Sequence, residues 1–120
     1  PLNIEAMNTA AKLLLSHTNF KCFSRSKTDV KTFDCMVTEA NWTQSDSEWI
    51  FHISANRFLR NMVRAIVGTL LDVGSGKLSL ADFQTILESQ DRTKAGSSAP
   101  AHGLFLMKVQ YPNTIFETNG

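Results

Sequence analysis

The run Asn56–Gly74, NRFLRNMVRAIVGTLLDVG, is the longest strongly patterned stretch of the 120-residue chain. Leu59, Met62, Val63, Ile66, Val67, Leu70 and Leu71 recur at three- and four-residue steps, the period of one helical face. Asn56 is a residue type that caps helix starts and Gly74 one that follows helix ends, so the pattern predicts a helix between them. Gly68 weakens a helix interior, and its place there predicts close approach by another backbone. At about 100° per residue, Arg57, Arg60, Asn61, Arg64 and Gly68 fall on the opposite stripe. No acidic residue follows these three arginines until Asp72. A guanidinium presents a fixed fork of donors suited to carboxylate or phosphate, so the stripe is either a solvated face or an anion-binding one.

Working outward, Ser75-Gly76-Lys77 is a loop, and Ser79 with Asp82 starts a second helix that runs to about Ser89. Gln90 to His102 is rich in small and turn-forming residues and reads as a loop. Leu104 to Gln110 reads as a mostly apolar strand, placed by that composition at the centre of a sheet; the tail after Tyr111-Pro112 is polar and is expected to fray. Upstream, Trp49 to Ala55 alternates with period two, Phe33 to Thr43 is a second strand, and Gln44-Ser45-Asp46-Ser47 turns between them. Asn19 to Thr32 is mixed and basic, with Lys21, Arg25, Lys27 and Lys31 against Asp29. Asn3 caps a first helix, whose stripe of Ile4, Met7, Ala11, Leu14 and Leu15 fades near His17. This order predicts an α+β domain, a mainly antiparallel sheet with helices packed on one face.

The length suits a single domain, and 42% apolar with 19% charged residues is ordinary globular composition. A formal net charge of +1 does not announce a nucleic-acid binder, so only the distribution of charge could mark one. Two cysteines, Cys22 and Cys35, form neither a CxxC pair nor a disulfide framework and read as buried free thiols. No apolar run is long enough to span a membrane and no signal peptide is visible, so the expected location is the cytoplasm. His17, His52 and His102 share no ligand spacing, and no metal site is expected. Neither GxSxG nor a phosphate-cradling glycine loop is present. The residues alone therefore describe an α+β domain with a basic helix face and no assembled catalytic centre.

NRFLRNMVRAIVGTLLDVGSG, followed by Asp91-Arg92-Thr93, Ala99-Pro100-Ala101, Gly103-Leu104-Phe105-Leu106 and Tyr111-Pro112, resembles the C-terminal half of the tRNA pseudouridine synthase A (TruA) family. The resemblance runs from about Leu2 to Pro112. It departs from the family pattern at Asn61, where His is common, and at Ala65, where Asn is common; these touch contacts around the helix. What the resemblance implies is concrete. Residues 1–120 would be one domain, half of a pseudouridine synthase fold, and a start at Pro1 is expected of an excised piece. Members of the family isomerise uridine to pseudouridine in the anticodon stem-loop of tRNA, at positions 38 to 40, as homodimers and without cofactor or metal. The N-glycosidic bond breaks, the uracil turns, and C5 joins C1′.

The family's catalytic aspartate lies in an N-terminal motif like GRTDAGVHA, which does not occur here, so no aspartate of this chain is assigned the role and the chain alone is expected to be inactive. Arg64, in Met62-Val63-Arg64, matches the arginine that pairs with that aspartate. Leu104 matches an apolar residue that packs against the target uracil. Arg57, Arg60 and the Lys21–Lys31 loop are candidates for contact with the tRNA backbone, on charge placement and the resemblance together. Asp91-Arg92-Thr93 has no assigned role. Two other readings remain: a non-catalytic RNA-binding module that kept the fold and basic face, and a dimerisation domain whose arginines are solvated.

Overall fold

The chain leaves its hairpin at Asn56 without entering a helix. In the computed structural model, which describes residues 2–25, 32–46 and 48–99 and the backbone of 105–110, Asn56 N–H donates to Met36 O (3.1 Å). The Asn56 side-chain Oδ1 in turn accepts from Met36 N–H (2.7 Å). An amide side chain here supplies one more rung after the strands end. Helix α2 then spans Met62–Gly74, with Asn61 as its N-cap. The start expected at Asn56 is thus corrected. Leu59 is buried, only 5% exposed, although it precedes α2, so the apolar period there reported burial rather than helical backbone. Asn61 has φ 66°, a left-handed conformation that asparagine tolerates better than most residues.

Both glycines of α2 answer to close approach. A Cβ on Gly68 would overlap Ser97 O and sit 3.0 Å from Ala99 N, so the backbone of residues 97–99 lies directly on the helix, as the sequence predicts. A Cβ on Gly74 would overlap the Met7 thioether. Gly74 is the last helical residue rather than the one beyond it, and the left-handed glycine is Gly76 at φ 89°.

Helix α1 spans Ile4–Lys12, with Asn3 Oδ1 accepting from Ala6 N–H (3.1 Å), and tightens into a 3₁₀ turn at Leu13–Ser16. The tighter winding keeps Leu14 in the core and turns Leu15 outward, 46% exposed. Helix α3 spans Leu80–Ser89 behind a reciprocal cap, in which Ser79 Oγ accepts from Asp82 N–H (3.0 Å) and Asp82 Oδ2 from Ser79 N–H (2.9 Å). It buries Phe83, Ile86 and Leu87, one face of a helix. The Phe83 ring lies 6.1 Å from that of Phe23, in the short 3₁₀ turn Lys21–Phe23.

Strands β1 (Val37–Ser45) and β2 (Glu48–Ala55) form the expected antiparallel hairpin, with Trp42 opposite Phe51 and Ala40 opposite Ile53. A bulge between Val37 and Glu39 brings Val37 onto the same buried face as Ala40 and Trp42. That face, with Phe51, Ile53 and Ala55, joins Met7, Leu14, Met62, Ile66, Leu70 and Phe83 in one core. The other face carries Thr38, Thr43, His52 and Ser54, with Thr43 Oγ1 and His52 Nε2 2.9 Å apart. The helices therefore cover one side of an α+β sheet. Asn8 of α1 accepts from Trp42 N–H (2.6 Å) and donates to Trp42 O (3.2 Å), which covers part of the outer edge of β1.

Strand β3 (Phe105–Gln110) runs parallel to β2, from Trp49 opposite Phe105 to Ser54 opposite Gln110. A parallel neighbour needs a long crossover, and α2 and α3 occupy it. The strand order is β1-β2-β3, so among the described residues β3 is an edge strand, not the central one its apolar composition suggested.

Candidate functional site

The basic stripe is divided by the fold. Arg57 and Arg60 precede α2, whereas Arg64 lies in its first turn. Arg57 is half-buried, and its Nη1 donates to Thr32 O (3.2 Å), Thr32 Oγ1 (3.3 Å) and Asp34 O (3.0 Å). It ties the segment before α2 to the segment leading into β1. Arg60 is exposed, and its carbonyl accepts from Arg25 N–H (3.1 Å). That bond brings the Lys21–Arg25 segment alongside. Lys21 is also exposed, with Nζ 5.6 Å from the centre of the Phe33 ring. Lys27, Lys31 and Leu104 lie outside the described residues; the backbone of β3 begins at Phe105, next to Leu104 in sequence.

Arg64 is held by the loop that precedes β3. Its Nε donates to Ala99 O (2.8 Å), while Ala99 N–H donates to Arg64 O (2.9 Å). Among the described residues, no partner takes the Nη donors. A guanidinium fixed through Nε in this way keeps two Nη groups for a carboxylate or phosphate. Asn61 reaches the same loop, its Nδ2 donating to Ser98 Oγ (2.6 Å). Ala65, the other departure from the family pattern, is fully buried and its carbonyl accepts from Thr69 Oγ1 (2.8 Å). Thr69 Oγ1 accepts in turn from Gly96 N–H (3.0 Å).

Asp91-Arg92-Thr93, without a role in the sequence reading, shapes this loop. Asp91 Oδ1 accepts from Thr93 N–H (2.9 Å) and Thr93 Oγ1 (2.7 Å), an Asx turn that opens the 3₁₀ turn Arg92–Lys94. Those bonds, the hydroxyl's first, hold the Asp91 carboxyl below its ordinary range. Arg92 Nη1 donates to Gly96 O (3.1 Å) and Nη2 to Ser98 Oγ (3.1 Å). The Asp-x-Thr spacing could have signalled the turn; nothing local could have signalled Ser98 or Ala99.

Other chemistry-bearing groups are quiet. Burial pushes the Cys22 thiol up to about 12 and raises Cys35 as well, so both are protonated thiols near neutral pH. Both are free and buried. His17 Nδ1 lies 2.9 Å from Leu13 O; His102 is outside the described residues. Among the described residues no group of three or more His, Cys, Asp or Glu could hold a metal, and no helix is long and apolar enough to cross a membrane.

Comparison with known proteins identifies the family. The family model described as tRNA pseudouridine synthase matches residues 10–112. The tRNA pseudouridine synthase A of Porphyromonas gingivalis is 57% identical over 117 residues, which cover 96% of this chain and 46% of that protein. The Bacteroides fragilis enzyme of the same name is 57% identical over 118 residues, 98% of this chain and 47% of its own length. That of Bacillus subtilis is 42% identical over 112 residues, 93% and 45% of the two chains. The chain thus spans about half the length of the curated relatives it matches. Extent and identity together place the chain in the tRNA pseudouridine synthase family.

Proposed function

We propose that this chain is the C-terminal part of a tRNA pseudouridine synthase, that it acts on uridines of the anticodon stem-loop within a homodimeric cytoplasmic enzyme, and that it is inactive alone. The observation that carries the reading is Arg64, fixed through Nε on Ala99 O with no partner for its Nη donors among the described residues. An aspartate that attacks or deprotonates must stay ionised in a site closed around a flipped base. A guanidinium beside it favours the carboxylate and sets its orientation. The aspartate would come from outside this chain, and Arg64 would receive it.

Leu104, next to β3 in sequence, would supply an apolar wall for the uracil. A base that must detach and rotate is better served by a flat apolar contact than by hydrogen bonds that hold one orientation. Arg60, with Lys21 and Arg25 on the adjoining segment, would contact tRNA phosphates and contribute salt-dependent affinity. Arg57 would contribute less there, because its Nη1 is already committed to Thr32 and Asp34.

The test is pseudouridine formation on unmodified tRNA by the full-length protein, by this chain alone and by the full-length Arg64→Ala variant. The expected result is activity in the first, none in the second, and a loss of about 100-fold or more in the third. Activity of this chain alone, or full activity without Arg64, overturns the assignment. A full-length protein that binds tRNA but modifies none would favour the non-catalytic RNA-binding module, a reading that the gathering of Arg25 and Arg60 also suits.

A further inference from the structure

Ala99 O is the acceptor that fixes Arg64, yet residues 96–99 belong to no helix or strand. Something must place that carbonyl. Three contacts press the segment onto α2: Gly96 N–H on Thr69 Oγ1 (3.0 Å), Ser97 O against Gly68, and Ala99 N–H on Arg64 O (2.9 Å). A fourth comes from within the loop. The Arg92 fork reaches Gly96 O with one Nη and Ser98 Oγ with the other, both at 3.1 Å, so one rigid plane sets the spacing of residues 96 and 98. Ser98 Oγ also accepts from Asn61 Nδ2 (2.6 Å), which joins the fork to the N-cap of the helix that carries Arg64.

We propose that Arg92, acting through Gly96 and Ser98, is a positioning residue for Arg64. Its fork holds the 96–99 segment in the one shape that delivers Ala99 O to Arg64 Nε. Arg92 is half-buried and both Nη groups already have acceptors, which argues against a primary contact with RNA phosphate. Lysine keeps the charge and cannot copy the fork. Ser98→Ala removes only the hydroxyl on which Arg92 and Asn61 meet. The inference rests on the functional reading for its rate measurement and on geometry alone for its spectroscopic one.

The experiment uses the full-length protein carrying Arg92→Lys or, separately, Ser98→Ala, the second guarding against a first that fails to fold. Three quantities are measured: single-turnover pseudouridine formation, tRNA affinity, and solvent exchange of the Arg64 Nε–H by nitrogen-15 NMR, with exposed Arg60 as reference. Each variant is expected to slow the single-turnover rate by about tenfold or more, since small misplacements of reacting groups are costly. Affinity should stay within twofold, and Arg64 Nε–H exchange should rise toward the rate of Arg60. Unchanged rate and exchange in both variants overturn the proposal. So does a loss of affinity with unchanged exchange, which would make Arg92 an RNA contact. If the unaltered protein forms no pseudouridine, the functional reading fails, and Arg64 exchange alone decides the role of Arg92.

Discussion

Arg64 and Ala99 hold each other by two reciprocal hydrogen bonds, Nε–H to carbonyl at 2.8 Å and backbone N–H to carbonyl at 2.9 Å, across 35 residues of chain. The pair locks an irregular loop to the first turn of α2. It also turns an arginine that reads as part of a solvated stripe into one with a defined orientation. The neighbouring arginines have different work, and their variants should behave differently.

Arg57→Ala should lower stability and Arg60→Ala should not. Arg57 donates to two backbone carbonyls and a hydroxyl, and its partial exposure limits the expected loss to about 1–2 kcal/mol. Arg60 is exposed, and its loss should leave stability within about 0.5 kcal/mol while reducing the salt dependence of tRNA binding by about one phosphate contact. Urea unfolding and tRNA affinity against salt concentration check both. Equal stabilities with equal salt slopes would remove the distinction.

Gly68→Ala should cost more than Gly74→Ala. At Gly68 the new methyl meets the backbone of Ser97, which can move only with the whole loop. Overpacking of this kind costs about 1–3 kcal/mol, even against a gain of about 1 kcal/mol in helix propensity. At Gly74 it meets the flexible Met7 side chain, which can change rotamer, so the expected cost is under about 1 kcal/mol. Thermal unfolding of the two variants side by side is the measurement, and the reverse order would refute the packing described for Gly68.

Stability should fall as pH rises above 9, and Cys22 should carry part of the fall. Burial lifts its thiol from an ordinary 9.0 to about 12. Above 9 the unfolded chain releases this proton while the folded chain retains it, so the contribution is complete below 9 and lost as pH climbs toward 12. Replacing Cys22 with Ala should flatten the decline in urea midpoint across that window. An identical decline in the variant would show that other groups cause it.

Trp42→Phe should be nearly neutral. Trp42 is 2% exposed, its ring centre lies 5.0 Å from that of Phe51, and its buried Nε1 has no hydrogen-bond partner among the described residues. An orphan donor costs about 1–3 kcal/mol, which offsets much of the volume lost with the larger ring. The expected change is under about 1.5 kcal/mol, against about 3–5 kcal/mol for Trp42→Ala. Equal losses in the two variants would mean that the indole N–H is satisfied after all.

Much of the fold is legible in the sequence. The buried faces of β2, of α2 and, apart from Leu15, of α1 follow from residue spacing, because helix and strand geometry alone decides which side chains share a side. The Ser79–Asp82 cap and the close approach at Gly68 were readable for the same local reason. The start of α2 was not. Asn56 caps helices well in general, but here its amide is engaged by Met36, twenty residues away in the chain. The edge position of β3 among the described residues was also hidden, since apolar composition reports burial and not the number of ladder partners.

For the candidate site the division is sharper. The order and spacing of the motifs were enough to recognise the family, because they are properties of the sequence; Arg64 stands out from its neighbours only through that resemblance, since residue type alone leaves the three arginines equivalent. Which arginine keeps its Nη donors without a partner among the described residues, which spends them on backbone carbonyls, and which hydrogen bonds Asp91, Arg92 and Thr93 make were decided only by tertiary structure. Those outcomes depend on the 96–99 segment folding back onto Gly68 and on residues 32–34 passing beside Arg57. Hydrogen bonds between segments distant in sequence form only once packing has brought them together, and no local propensity encodes them.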